Sequence, residues 1–91
     1  MKSIIQENTD YCFLCGKYGT EIHHIYFGNP NRKWSDKYKC VVGLCAEHHR
    51  GNSGVHFNRE LDLTLKQIGQ KKFEEVYPEE NFMEIFGKNY L

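Results

Sequence analysis

The 91-residue sequence predicts a small α+β fold in which a metal-stapled β-hairpin is followed by helices. Three observations carry this. Two Cys/His pairs at x2 spacing, Cys12-x2-Cys15 and Cys45-x2-His48, bracket two short β-prone runs. The hydrophobic spacing then turns helical after the breaker Gly51-Asn52-Ser53-Gly54. Finally, a chain this short buries only about 60–65% of the surface it exposes unfolded, so cross-links matter to it.

The elements follow in order. Residues 1–11 read as a polar lead-in, and Cys12-Phe13-Leu14-Cys15-Gly16 as a knuckle in which two thiolates wrap one ion. Thr20–Tyr26 alternates loosely and is rich in Ile and Tyr, which predicts a strand. Gly28-Asn29-Pro30-Asn31 predicts a turn, with a loop running on through Arg32-Lys33-Trp34-Ser35. Cys40-Val41-Val42-Gly43-Leu44 is apolar and β-branched, the second strand. Ala46-Glu47-His48-His49-Arg50 predicts a helical turn. A longer helix should begin near Val55–Asn58 and run to about Val76, with Leu61, Leu65, Ile68, Phe73 and Val76 near helical spacing and Pro78 ending it. Glu79–Phe86 predicts a last short helix closed by Gly87. No repeat or low-complexity segment interrupts the chain, so residues 1–91 are expected to form one domain. Its core would span about 12–58, with a helical extension over about 58–91.

Composition narrows the class. Hydrophobic residues make up 40% and aromatics 14%, a globular rather than a disordered balance. No apolar run approaches the roughly 18 residues of a transmembrane helix, so no membrane partner is expected. The first residues hold no apolar stretch of signal-peptide length, and a cytoplasmic address is expected. In a reducing cytosol, four cysteines and five histidines point to metal ligation rather than disulfides. Net charge is zero, which is not the balance of an avid nucleic-acid binder. The charge is uneven, however: residues 1–56 carry seven basic and five acidic side chains, residues 57–91 five and seven. Arg32, Lys33 and Arg50 in the front half are the candidate phosphate contacts.

Two sets of residues carry chemistry. Cys12, Cys15, Cys45 and His48 offer the four soft or borderline ligands that tetrahedral zinc takes; the plainer alternative makes Cys12 and Cys45 buried apolar fillers. His23 and His24 are neighbours on a strand and therefore face opposite ways. One of them can hold an ion while the other removes a proton from water, the division a metal-assisted hydrolase needs. The alternative is a surface pair without a role. With His48 committed to zinc, His49 projects about 100° round the helix and is free for a second ion. His56 either folds back to that ion or serves only as a packing residue at a helix start. Cys40, among Val41 and Val42, is expected to be a buried filler and not a ligand.

These residues in this order resemble the HNH endonuclease family, whose core is a hairpin and helix clasping one metal, often beside a structural zinc. His23-His24 resembles the pair that opens its motif, and Leu44-Cys45-Ala46-Glu47-His48-His49 resembles its close, with His48 in place of the usual second Cys. The stretch His23 to Tyr77 and the ending Ile85-Phe86-Gly87-Lys88-Asn89-Tyr90-Leu91 are similar to small phage and prophage HNH-like proteins, and more distantly to a phage nuclease that acts with a recombinase. The resemblance implies a ββα-metal core and metal-dependent cleavage of DNA. It implies His23 and His49 as ligands of a catalytic ion (magnesium, manganese, nickel or zinc) and His24 as the general base. The family's middle Asn falls at Cys40 here, leaving Asn29, Asn31, Asn52, Asn58, a backbone carbonyl or no group to orient the base. The competing expectation is a non-catalytic zinc-knuckle module that binds nucleic acid or a protein. Three further histidines beside a complete knuckle favour the enzyme.

Overall fold

A computed structural model describes residues 1–91. Its elements are β1 (Glu21–His24), α1 (Asn31–Tyr38), β2 (Val41–Leu44), α2 (Ala46–Arg50), α3 (Arg59–Val76) and α4 (Phe82–Phe86). The architecture is α+β. β1 and β2 form a two-stranded antiparallel sheet, with Glu21 opposite Leu44, Ile22 opposite Gly43, His23 opposite Val42 and His24 opposite Val41. No helix is long and apolar enough to cross a membrane.

The main correction to the sequence reading lies between the strands. Residues 32–35, expected as loop, are the front of helix α1. Trp34 and Tyr38, four apart, lay one edge of the helix on the core. Between them Ser35 is fully buried, where its hydroxyl accepts from the Tyr26 N–H at 3.0 Å and donates to the Tyr26 carbonyl at 2.6 Å. With both backbone groups of Tyr26 bonded to Ser35 rather than to a strand, the first strand ends at His24 rather than Tyr26. Lys39 closes α1 in the left-handed conformation, φ 61°, and sends the chain into β2.

Residues 1–11 are also more than a lead-in. The Ser3 hydroxyl donates to the Val41 carbonyl, the Ile4 N–H to the Lys39 carbonyl and the Gly43 N–H to Gln6 Oε1. They edge β2, and Ile4 and Ile5 pack on the core. Gly43 has to be glycine here, since a Cβ would stand 2.0 Å from the Thr9 carbonyl oxygen.

Helix α3 starts at Arg59, where Asn58 caps it by accepting from the Leu61 N–H at 3.1 Å. Its inner face is Leu65, Gly69, Gln70 and Phe73; Ile68 and Val76, also near helical spacing, are exposed. Helix α4 is shorter than expected because Asn81 caps it, and Gly87 ends it at φ 81°. Phe82 and Phe86 stack on the buried Tyr26 ring at 5.1 and 4.5 Å between centroids. The Tyr26 hydroxyl runs on beneath α3 and donates to the Lys66 carbonyl at 2.6 Å.

Gly69 makes room for that hydroxyl, as a Cβ there would sit 2.7 Å from it. In an open helix Gly→Ala stabilises by about 1 kcal/mol. Gly69→Ala should instead destabilise by about 1–3 kcal/mol, the usual cost of overpacking, because Phe82 and Phe86 pack against the buried Tyr26 ring and its hydroxyl is bonded to the Lys66 carbonyl. Urea unfolding checks this, and the cost should shrink in a Tyr26→Phe background.

Candidate metal centre

The knuckle turns at Gly16, φ 78°, with the Gly16 N–H on the Cys12 carbonyl and the Cys12 N–H on the Lys17 carbonyl, both at 2.8 Å. The Phe13 N–H reaches the Gly43 carbonyl, which sets the knuckle against β2. Cys45 leaves β2 as the N-cap of α2, and His48 stands one turn on. The ligand atoms of Cys12, Cys15, Cys45 and His48 lie within 4.8 Å of one another and can hold a metal ion.

The spacing suits four-coordination. Cys15 Sγ and Cys45 Sγ are 3.8 Å apart, far beyond a disulfide bond, and all four cysteines are free. His48 Nδ1 stands 3.6 Å from Cys12 Sγ and 3.3 Å from Cys45 Sγ. A tetrahedron with metal–sulfur arms of about 2.3 Å has sulfur–sulfur edges of about 3.8 Å. Burial opposes a Cys12 thiolate, yet the N–H groups of Cys45, Cys15 and Leu14, with His48, outweigh it and bring the thiol down to about 6. For Cys15 the Lys17 N–H favours the thiolate, but desolvation and the Cys12 and Cys45 sulfurs raise it overall. Such crowding of thiols is what a shared cation relieves.

A second cluster draws on β1, α2 and the turn after it. His23 is 2% exposed, and its Nε2 is buried without a hydrogen-bond partner. His49 comes from α2, and His56 from the turn that returns after Gly54, where the Val55 N–H reaches back to the His48 carbonyl. The three rings stand 5.0–5.3 Å apart between centroids, and their ligand atoms lie within 4.8 Å of one another. Burial first, then the neighbouring His49, His56 and His24, hold the His23 imidazole neutral by lowering its pKa to about 3. A buried imidazole nitrogen with no partner, facing two more imidazoles, fits a metal ligand better than a packing residue.

Glu21 lies two residues before His23 on the strand. Its Oε1 is 2.7 Å from His49 Nδ1, which leaves His49 Nε2 to coordinate. Arg50 grips the same carboxylate, its Nε 3.0 and 2.8 Å from the two oxygens. Hydrogen bonds from His49 and Arg50 hold the Glu21 carboxyl below its ordinary pKa. Arg50, expected at phosphate, is thus engaged in the protein.

His24 points the other way and sits with its Nε2 3.5 Å from Asp36 Oδ1 on α1. His24 and Arg32 border two clefts. One, of about 230 Å³, is shared with the three clustered histidines, Ile22 and Phe27. The other, of about 800 Å³, also takes in Lys33 and Asp36. None of the four candidate asparagines pairs with His24. Asn31 donates to the Phe86 carbonyl, Asn58 caps α3, Asn29 lies in the larger cleft and Asn52 in an exposed turn. Sequence reasoning missed Glu21 and Asp36. Strand periodicity could have found Glu21, on the face of His23; Asp36 depended on seeing α1.

Cys40 belongs to neither cluster. It is fully buried, and burial pushes its thiol up to about 12.

No protein-family model, curated protein or solved structure matches this chain.

Cys15→Ala should lose the tightly held metal and with it cooperative unfolding, because so small a core leans on the site. Cys40→Val should keep the full metal content at a cost below about 1.5 kcal/mol. Metal analysis beside thermal unfolding checks both; a metal-replete, cooperatively folded Cys15→Ala protein contradicts the ligand set.

Proposed function

We propose that this chain is an HNH-type, metal-dependent endonuclease domain, stapled by a structural zinc and acting on DNA phosphodiester bonds. The observation that carries the proposal is the convergence of His23, His49 and His56 beside a differently turned His24 on one cleft. A binding knuckle has no use for them. The resemblance of His23-His24 and Leu44–His49 to the HNH motif supports the same reading, as does a strand pair followed by α2 as a ββα-metal core. Three sulfurs and one imidazole suit zinc, which needs reduced thiols and so goes with a cytoplasmic setting. A phage origin goes with the resemblance alone.

In this mechanism His23, His49 and His56 would hold a divalent ion (magnesium, manganese, nickel or zinc), whose chemistry there would be Lewis-acid stabilisation of charge on the phosphate oxygens. Glu21 fixes the His49 ring through Nδ1. Burial keeps His23 neutral, the form that donates a lone pair. His24 takes a proton from the attacking water as its oxygen bonds to phosphorus and the bond to the leaving oxygen breaks. Arg32 and Lys33, on the first turn of α1 along the larger cleft, steady the flanking phosphates.

Plasmid cleavage tests this. The wild-type chain should cut DNA with at least one of magnesium, manganese or nickel. His24→Ala should lower the rate about 10²–10⁴-fold with metal retained, whereas His23→Ala should also weaken binding of the second ion. Absence of cleavage with all three metals would favour a binding module, a reading to which the engagement of Arg50 by Glu21 lends weight.

A further inference from the structure

The carboxylate of Asp36 has simpler places to be. It is more than half exposed, and Arg32 and Lys33 precede it by four and three residues on the same helix, the spacing at which helical ion pairs form. It pairs with neither; its one ionic contact is His24 Nε2 at 3.5 Å. The placement is fixed from below, because the adjacent Ser35 is fully buried and bonded to both the N–H and the carbonyl of Tyr26. That clamp ties the middle of α1 to the chain two residues beyond His24. His24 makes no other polar contact, so its Nδ1 is free of any protein partner.

We infer that Asp36 is the positioning residue for His24, accepting the Nε2 proton so that the ring is held in one orientation with Nδ1 as its basic nitrogen. A proton-accepting imidazole works only when its lone pair is aimed, and an outer carboxylate is a common way to aim it. At 3.5 Å the contact is long for a hydrogen bond, as catalytic contacts often are in the absence of substrate. The kinetic part of this inference rests on the nuclease reading. The orientation itself does not.

Two readouts separate the two. Carbon-13 relaxation of the His24 ring in the full chain, at one fixed pH, reports whether the ring is held. The ring should be ordered in the wild type, mobile in Asp36→Ala and ordered again in Asp36→Asn, whose amide oxygen still accepts the Nε2 proton. A loss of helix α1 would instead disturb the amide spectrum around Ser35 and Tyr26 in both variants. In plasmid cleavage, Asp36→Ala should lower kcat about 10–100-fold with KM unchanged, the range for outer partners of a working imidazole, and Asp36→Asn should recover most of it. Equal ring order in wild type and Asp36→Ala overturns the inference, as does unchanged kcat in an active enzyme. If the wild type fails to cut with magnesium, manganese or nickel, the nuclease reading falls, and ring order alone decides whether Asp36 holds His24.

Discussion

The antiparallel ladder between Glu21–His24 and Val41–Leu44 is the constraint on which both histidine sets and the thiol cluster depend. Its register puts Glu21 opposite Leu44, so that Cys45 and helix α2 emerge beside the start of β1. From there His49 reaches Glu21 and stands against His23, while Cys45 and His48 meet the knuckle. A slip of one residue would exchange the faces of His23 and His24 and break up the three-histidine cluster. The ladder is short, and three contacts from outside it reach β2, from the Gln6 side chain, the Ser3 hydroxyl and the Phe13 N–H, while the bare backbone of Gly43 within it lets the Thr9 carbonyl come close.

Two clusters of unlike chemistry follow from this arrangement. One is three sulfurs and an imidazole at tetrahedral spacing, closed by its own ligands and set between the knuckle and α2. The other is three imidazoles with an open cleft in front. Four-ligand thiolate sets are typical of structural zinc, whereas three protein ligands leave a coordination position open. The packing explains why the fold can use the first: only 20 of the 91 residues are buried, and the aromatic stack of Tyr26, Phe73, Phe82 and Phe86 lies toward the α3–α4 side.

Much of this was legible in the sequence, for physical reasons. The x2 spacings of Cys12-Cys15 and Cys45-His48 name the thiol cluster whatever the fold, because a knuckle is a local structure. Period-two alternation separates His23 from His24, and a five-residue helix starting at Ala46 turns His49 away from His48. Helix α1 was not legible. Its flanking Gly28, Asn29 and Pro30 read as punctuation, its charges hide a stripe of only Trp34 and Tyr38, and what orders it is the burial of Ser35 against Tyr26, a tertiary contact. With α1 went Asp36 and the placement of Arg32 and Lys33. The inner face of α3 was hidden for a related reason: Gly69 and Gln70, unremarkable by hydropathy, occupy it because a tyrosine hydroxyl and the Tyr90 backbone need them there, while Ile68 and Val76 are exposed.

One ladder brings together two chemically distinct candidate metal sites, one of three thiols and an imidazole and one of three imidazoles beside a cleft. A crystal grown from zinc-containing protein and soaked in nickel tests it most directly, with anomalous maps collected at the absorption edge of each metal. The account predicts a zinc peak among Cys12, Cys15, Cys45 and His48, and a separate nickel peak touching His23, His49 and His56. A single metal site, or a nickel peak that leaves His23 Nε2 without a ligand, would contradict it.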